Sequence, residues 1–167
     1  MVNDVIVGET EVIPENTSPF SNFVVTLNKY KNQLETFVME QTGTKIKING
    51  NINVSLLGHA TIVAHNVKIA NGNIGKMSFS IPVYDIFNIN NAKINQDISI
   101  SNANFNISNI VPLKIKHKIN IYNSDITFMN KKYQIIRATL YNQDFIGQIR
   151  TSQHKYDIEF TNGEFSI

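Results

Sequence analysis

The apolar positions along the chain follow two different periods, one before Gly43 and one after it. Between about Pro19 and Gln41, apolar residues recur at spacings of three and four, which is typical of one buried face of a helix. Ser18 suits the N-cap, Pro19 the first helical position, and Gly43 the left-handed C-terminal stop. The sequence therefore predicts one amphipathic helix. The residues of its apolar face are Phe20, Phe23, Val24, Leu27, Tyr30, Leu34, Phe37 and Val38.

After Gly43 the period becomes two, which is typical of strands. The dipeptide Asn49-Gly50 separates the first two alternating runs and predicts a hairpin turn. About ten short strands with no strong helix between them predict a mainly β protein with an antiparallel, meandering sheet. The further alternating runs are Val63–Ile69, Met77–Val83, Ala92–Ile100, Ala103–Ile107, Leu113–Ile121, Asp125–Met129, Tyr133–Tyr141, Phe145–Thr151 and Tyr156–Phe160.

These predicted strands have one uniformly apolar face. A β-sandwich or barrel needs such a face to fill its interior. A curved sheet, with the helix covering one end, could instead keep the face open as a groove for acyl chains. Periodicity does not separate the two structures. In the second structure the candidate groove residues are Ile94, Ile98, Ile100, Phe105, Ile107, Ile115, Ile119, Ile121, Ile126, Phe128, Ile158 and Phe160.

The densest basic feature is a row of lysines on the opposite face of the predicted strand Leu113–Ile121, formed by Lys114, Lys116 and Lys118. One interpretation is a solvated strand face that also discourages edge pairing. The other is a contact with anionic lipid head groups or phosphates. Both interpretations remain open at this point.

Composition narrows the function classes. The chain is 42% hydrophobic and 17% charged, which excludes a disordered tail. It has no cysteine, which excludes disulfides and cysteine nucleophiles, and its net charge of +2 is too small to indicate nucleic acid. The four histidines are scattered, and no nucleophile elbow, phosphate loop or dinucleotide motif occurs. We therefore expect neither an enzyme nor a bound metal or cofactor.

Residues 1–18 are expected to form a polar leader or linker, and residues 19–167 a single domain. The first ten residues carry Asp4 and Glu9 and do not match a secretory signal. No window of this chain approaches the roughly 18 apolar residues of a membrane span.

The stretch from Leu34 to Asn71 resembles the N-terminal region of AsmA-like proteins. That region has a helix, a Thr-Gly motif leading into a strand pair, and a strand that ends near a Val-x-hydrophobic-x-Asn motif. Residues 74–107 resemble the strands that follow in the family, and residues 145–147 with 156–160 resemble its later units. The motif residues are Thr42, Gly43, Ile46, Ile48, Gly50, Val67, Ile69, Asn71, Phe145, Ile146, Gly147, Tyr156, Asp157, Ile158, Glu159 and Phe160.

This resemblance implies a non-enzymatic module of the bacterial envelope. AsmA-like proteins are related to bridge-like lipid transfer proteins, and their sheets hold phospholipid acyl chains on an apolar face. The implied partner is phospholipid, and the implied location is the periplasmic side of the inner membrane. Family members normally begin with a transmembrane helix, so the expected membrane contact would depend on an N-terminal anchor that this chain lacks. The alternative is a β-sandwich or β-helix interaction or adhesion module without lipid.

Overall fold

In a computed structural model, the described residues are 24–57, 59–89, 92–94, 97–107, 117–142, 144–161 and 164–166. Within them, the strands form a single, mostly antiparallel sheet that does not close into a barrel. The mainly β class and the N-terminal helix are confirmed. The strands are β1 Val24–Thr26, β2 Ile46–Ile48, β3 Ile52–Leu57, β4 His59–Ile69, β5 Gly72–Ile81, β6 Ile98–Ile107, β7 Ile119–Phe128, β8 Lys131–Tyr141, β9 Asp144–Arg150, β10 Lys155–Thr161 and β11 Glu164–Ser166.

The strands are ordered β1-β3-β4-β5-β6-β7-β8-β9-β10-β11, and β2 pairs with β4 alongside β3. Neighbours are antiparallel except for β6 and β7, which run parallel. The predicted meander is therefore wrong at this one pair. The described part of the chain contains eleven strands, three of them only three residues long, so the expected count of about ten is not confirmed. Neither two packed sheets nor the parallel coils of a β-helix are observed in these residues.

The helix is shorter than the sequence predicts. Helix α1 spans Lys31–Thr42 and follows a 3₁₀ turn at Asn28–Tyr30. Strand β1 pairs with β3 instead of forming the first turns of the helix, because its residues Val-Val-Thr are β-branched and favour strands. Gly43 ends the helix as predicted, with a φ of 70°, and its N–H donates to the Met39 carbonyl. Residues 1–23, which include Ser18, Pro19, Phe20 and Phe23, lie outside the described residues.

Helix α1 packs its apolar face on the sheet. Leu34, Phe37 and Val38 are buried there, as the sequence predicts. The rings of Phe37 and Phe79 of β5 lie 5.6 Å apart at their centroids. The helix thereby contributes to the main hydrophobic core over β2–β6.

Two side chains accept hydrogen bonds from backbone N–H groups of β2 and β3. Glu35 of α1 accepts a hydrogen bond from the Ile48 N–H at 2.8 Å, and its other oxygen lies 3.2 Å from Lys47 Nζ. Asn28 Oδ1 accepts a hydrogen bond from the Ile52 N–H at 3.1 Å. These contacts occupy donors that would otherwise be available for edge pairing.

Replacing Glu35 with alanine is expected to lower the free energy of unfolding by about 1–2 kcal/mol, because the Ile48 N–H loses its charged acceptor. Urea unfolding measures the loss, and amide exchange at Ile48 should accelerate. Glu40→Ala, at an exposed position of the same helix, is the matched control. Equal stability of the two variants would show that the Glu35 contact contributes nothing.

The predicted hairpin at Asn49-Gly50 is wrong. Strands β2 and β3 do not pair with each other; both pair with β4. Asn49 and Gly50 lie in the short connection between these two strands. The Gly50 N–H donates to the His65 carbonyl at 3.0 Å. A side chain at Gly50 would place its Cβ 2.6 Å from that carbonyl oxygen, so glycine is needed here for close backbone approach.

Four residues that are neighbours across the sheet interrupt the strands at one level. Asn66, Asn102 and Asn123 have positive φ values of 50°, 53° and 44°. The register places Gly75 between Asn66 and Asn102, and places Asn102 beside Asn123. No residue is inserted at this level, because the pairing register is the same on both sides of it. We call Asn66, Gly75, Asn102 and Asn123 the bulge row because the backbone departs locally from regular strand geometry there. Asparagine tolerates the left-handed region better than most residues, which explains its presence at three of these positions.

The bulge row changes the phase of side-chain alternation within each strand. On β6, Ile98 and Ile100 contribute to the core before Asn102, and Ala103 and Phe105 contribute to it after Asn102. The last three residues of the predicted run Ala92–Ile100 and the whole predicted run Ala103–Ile107 therefore belong to a single strand, which begins at Ile98.

Candidate functional site

One row of residues crosses eight strands, and it presents an apolar side chain in every strand except β9, where it contains Gly147. Because residues paired directly across strands share a face, the register identifies this row without ambiguity. One face of the sheet is therefore free of polar side chains along this row, from β3 to β10. The row consists of Ile52, Ala64, Met77, Ile100, Ile121, Ala138, Gly147 and Ile158.

Burial falls along this apolar face from β3 to β10. Helix α1 and the segment around Ala92 pack against the part formed by β2–β6, where the side chains belong to the main core. Among the described residues, the second cluster, around Ile121, Ile135 and Ala138, contains no helix residue. We call the half-buried apolar side chains of β7–β10 the open face: Ile119, Ile126, Phe128, Leu140, Phe145, Ile149, Ile158 and Phe160.

Most of the predicted groove residues lie on this one face. The register pairs Ile98 with Ile119, Ile100 with Ile121, and Phe105 with Ile126. Ile158 and Phe160 lie on the same face two strands beyond β8, since Ile158 pairs with Gly147 and Phe160 with Phe145. Ile94 is half-buried and packs against the main core from outside a strand. Ile115 lies outside the described residues, and Ile107 is placed in β6 with its side chain undescribed.

Three predicted groove residues are packed within the protein. Ile98, Ile100 and Ile121 are only 3%, 8% and 7% exposed. Their side chains are already covered by other residues of the chain, so these three residues belong to the hydrophobic core and offer little surface to a ligand. The accessible part of the apolar face is therefore the open face on β7–β10.

The predicted lysine row is only partly described. Lys114 and Lys116 lie outside the described residues, as do all of the first four residues of the predicted strand Leu113–Ile121, and the observed strand β7 begins at Ile119. Lys118 precedes β7 and forms an ion pair with Asp97, with Nζ and Oδ2 3.2 Å apart. Lys118 is therefore engaged in an ion pair at the protein surface.

The opposite face of the sheet is polar and hydrogen-bonded. Asn120 Nδ2 donates to Asp97 at 3.0 Å, and Thr139 Oγ1 donates to Asn120 Oδ1 at 3.0 Å. Further along, Gln148 donates to Asp157 at 2.7 Å. These contacts satisfy polar side chains on the solvent side, and the sheet is consequently amphipathic over β7–β10.

The sequence did not reveal an unusual turn between β7 and β8. Phe128 pairs with Lys131, so Met129 and Asn130 form a two-residue loop. Both have positive φ, 49° and 62°, as a type I′ turn requires. Such turns favour Asn-Gly, and a left-handed conformation costs a non-glycine residue roughly 1–2 kcal/mol. The predicted run Asp125–Met129 gave no signal of this turn, because period-two alternation carries no information on φ.

No group of three His, Asp or Glu side chains that could hold a metal occurs in the described residues. His117 lies 3.4 Å from the Gln41 side chain, and His154 packs against Tyr156. An open, polar depression of about 480 Å³ lies at the β4–β5 turn, and the described residues that line it include no acid, base or nucleophile. It is lined by Ala70, Asn71, Gly72, Asn73, Asn104 and Asn106.

Comparison of the chain with family models, with curated proteins and with solved structures found no match. Among the described residues, no helix is both long and apolar enough to cross a membrane.

Proposed function

We propose that this protein is a non-enzymatic lipid-binding module that holds phospholipid acyl chains on the open face. The observation that carries the proposal is the half-buried apolar surface of β7–β10, which continues a filled core but has no helix in its cluster. Contiguous apolar surface of this kind marks interaction sites in soluble proteins.

The energetics of such a surface favour acyl chains. Each CH₂ group moved from water onto an apolar surface gains about 0.8 kcal/mol when it is fully buried. Isoleucine, leucine and phenylalanine side chains form most of the surface. Tyr133 and Tyr156, the cross-strand partners of Ile126 and Ile149, share this face and add aromatic rings with one hydroxyl group each. A lipid would keep its head group in water at the rim of the sheet.

The resemblance to AsmA-like proteins supports a role in lipid transport or outer-membrane biogenesis. Under this proposal the module works on the periplasmic side of the bacterial inner membrane. The family's lipid-holding sheets also carry an apolar face, and in this chain the resemblance includes Ile158 and Phe160, which lie on the open face.

An interaction module without lipid is the second candidate. The observation that favours it is the exposed apolar side chain of Ile146, which lies on the polar face between Thr139 and Glu159 and is 53% exposed. A protein partner that used this face would leave the open face unoccupied.

Purified protein is expected to carry phospholipid that solvent extraction and mass spectrometry detect. Replacing Ile158 with asparagine should weaken lipid retention by roughly three- to tenfold, because a polar amide then interrupts the open face. Bound phospholipid should also reduce the binding of an apolar fluorescent probe to the open face.

Ile146→Asn is the matched control, because it makes the same chemical change on the next strand but on the opposite face. It should leave lipid retention unchanged. Protein that copurifies with no lipid and takes up none when mixed with phospholipid would contradict the proposal. Equal losses in the two variants would contradict the assignment to the open face.

A further inference from the structure

The turn between β7 and β8 presents an apolar side chain to solvent at a position that disfavours it. Met129 is 75% exposed and holds a left-handed backbone conformation. A glycine or asparagine would satisfy the same turn without strain and without exposing apolar surface. Strained, exposed residues of this kind indicate a functional contact.

The surroundings of Met129 indicate the chemistry of that contact. Phe128, the preceding residue, ends the open face, and Lys131 is its direct cross-strand partner. Lys131 is exposed, whereas Lys132 forms an ion pair with Asp125 at 2.9 Å. The turn therefore combines the apolar side chain of Met129 with the nearby cation of Lys131, whose aliphatic stem can lie along apolar surface.

We infer that the Met129 turn inserts into the surface of a lipid bilayer that contains anionic head groups. Met129 enters the boundary between head groups and acyl chains, and Lys131 contacts anionic phosphate groups. Strand β7 then runs from the membrane surface along the open face, so that acyl chains can pass from the bilayer onto it. The inference rests on the proposed function in taking lipid as the ligand.

Flotation with intact vesicles of phosphatidylcholine and phosphatidylglycerol tests the inference. The full chain should float with the vesicles, and Met129→Asn should weaken this partitioning about fivefold. Met129→Leu keeps an apolar side chain and should retain binding. Lys131→Gln should weaken binding about fivefold on anionic vesicles and have no effect on pure phosphatidylcholine.

Met39→Gln is the matched control, because Met39 is 51% exposed on helix α1, away from the turn. It should bind vesicles like the unaltered protein. Thermal unfolding checks that Met129→Asn folds, and this variant should be at least as stable because asparagine suits the turn.

A chain that does not float, or a Met129→Asn variant that floats unchanged, would overturn the inference. If the chain does not float, and if another protein copurifies with it only when Met129 is present, the turn would be assigned to a protein partner instead. Copurified phospholipid whose amount does not depend on Met129 would leave the proposed function standing while overturning the membrane contact. The two proposals can therefore fail separately.

Discussion

Replacing Phe37 with aspartate is expected to unfold the protein or to lower its free energy of unfolding by about 4 kcal/mol or more. Phe37 is fully buried between helix α1 and the sheet, with its ring close to Phe79. Loss of a buried phenylalanine side chain alone costs about 3–5 kcal/mol, and burial of a carboxylate adds a desolvation penalty. Since small domains are stable by only about 5–15 kcal/mol, this change removes much of the total.

Urea unfolding followed by circular dichroism measures this effect. Met39→Asp on the same helix is the control, because Met39 is largely exposed and its replacement should cost less than about 1 kcal/mol. Leu34→Asp should behave like Phe37→Asp, since Leu34 is equally buried. Wild-type stability of Phe37→Asp would show that the helix does not pack on the sheet in solution.

The period of the apolar residues was sufficient to predict at least part of each strand from β2 to β10 and the buried face of the helix, but it predicted neither β1 nor β11. The prediction of strand boundaries failed where the buried positions change from even to odd residue numbers within one strand. Ile98 and Ile100 occupy even positions, whereas Ala103 and Phe105 occupy odd ones, and the sequence pattern reads this change as a break between two strands. In the structure, the left-handed Asn102 absorbs the change within one strand. Strand β7 shows the same effect at Asn123.

The predictions of the helix start and of the hairpin failed for a different reason, since strand pairing decided both, and at the helix start it agreed with the strand preference of β-branched residues. Val24–Thr26 fit the helical period but pair with β3, and Asn49-Gly50 has the sequence of a hairpin turn but joins two strands that both pair with β4. Local pattern contains no information on which strand is the partner. The same limit applies to the site, because period two predicts an apolar face but not which half of it the helix covers.

The high asparagine content has a structural explanation at several positions. Five of the six non-glycine residues with positive φ in the described part of the chain are asparagines. Three of them lie in the bulge row, and the other two lie in turns: Asn130 between β7 and β8, and Asn142 between β8 and β9. Composition alone did not indicate this, because the left-handed positions become visible only when the register is known.

Replacing Gly75 with valine is expected to lower the free energy of unfolding by about 3 kcal/mol. A Cβ at Gly75 would lie 2.8 Å from the Asn102 carbonyl oxygen and 2.9 Å from the Asn102 Cβ, so one strand must move. Asn102→Val should cost about 1–3 kcal/mol, because a β-branched side chain is strained at a φ of 53°. Urea unfolding of each variant gives these values.

Asn102→Gly is the control for the backbone conformation and should change stability by less than about 1 kcal/mol, since glycine adopts positive φ readily. If Asn102→Val were as stable as Asn102→Gly, the left-handed conformation would not be required. The bulge row also matters for the proposed lipid-binding face. Without its phase change, Ile98 and Ile100 would point to the opposite side of the sheet from Ala103 and Phe105, because a one-residue slip reverses every side chain beyond it. The continuity of the apolar face from the core to the Met129 turn therefore depends on left-handed residues at this level.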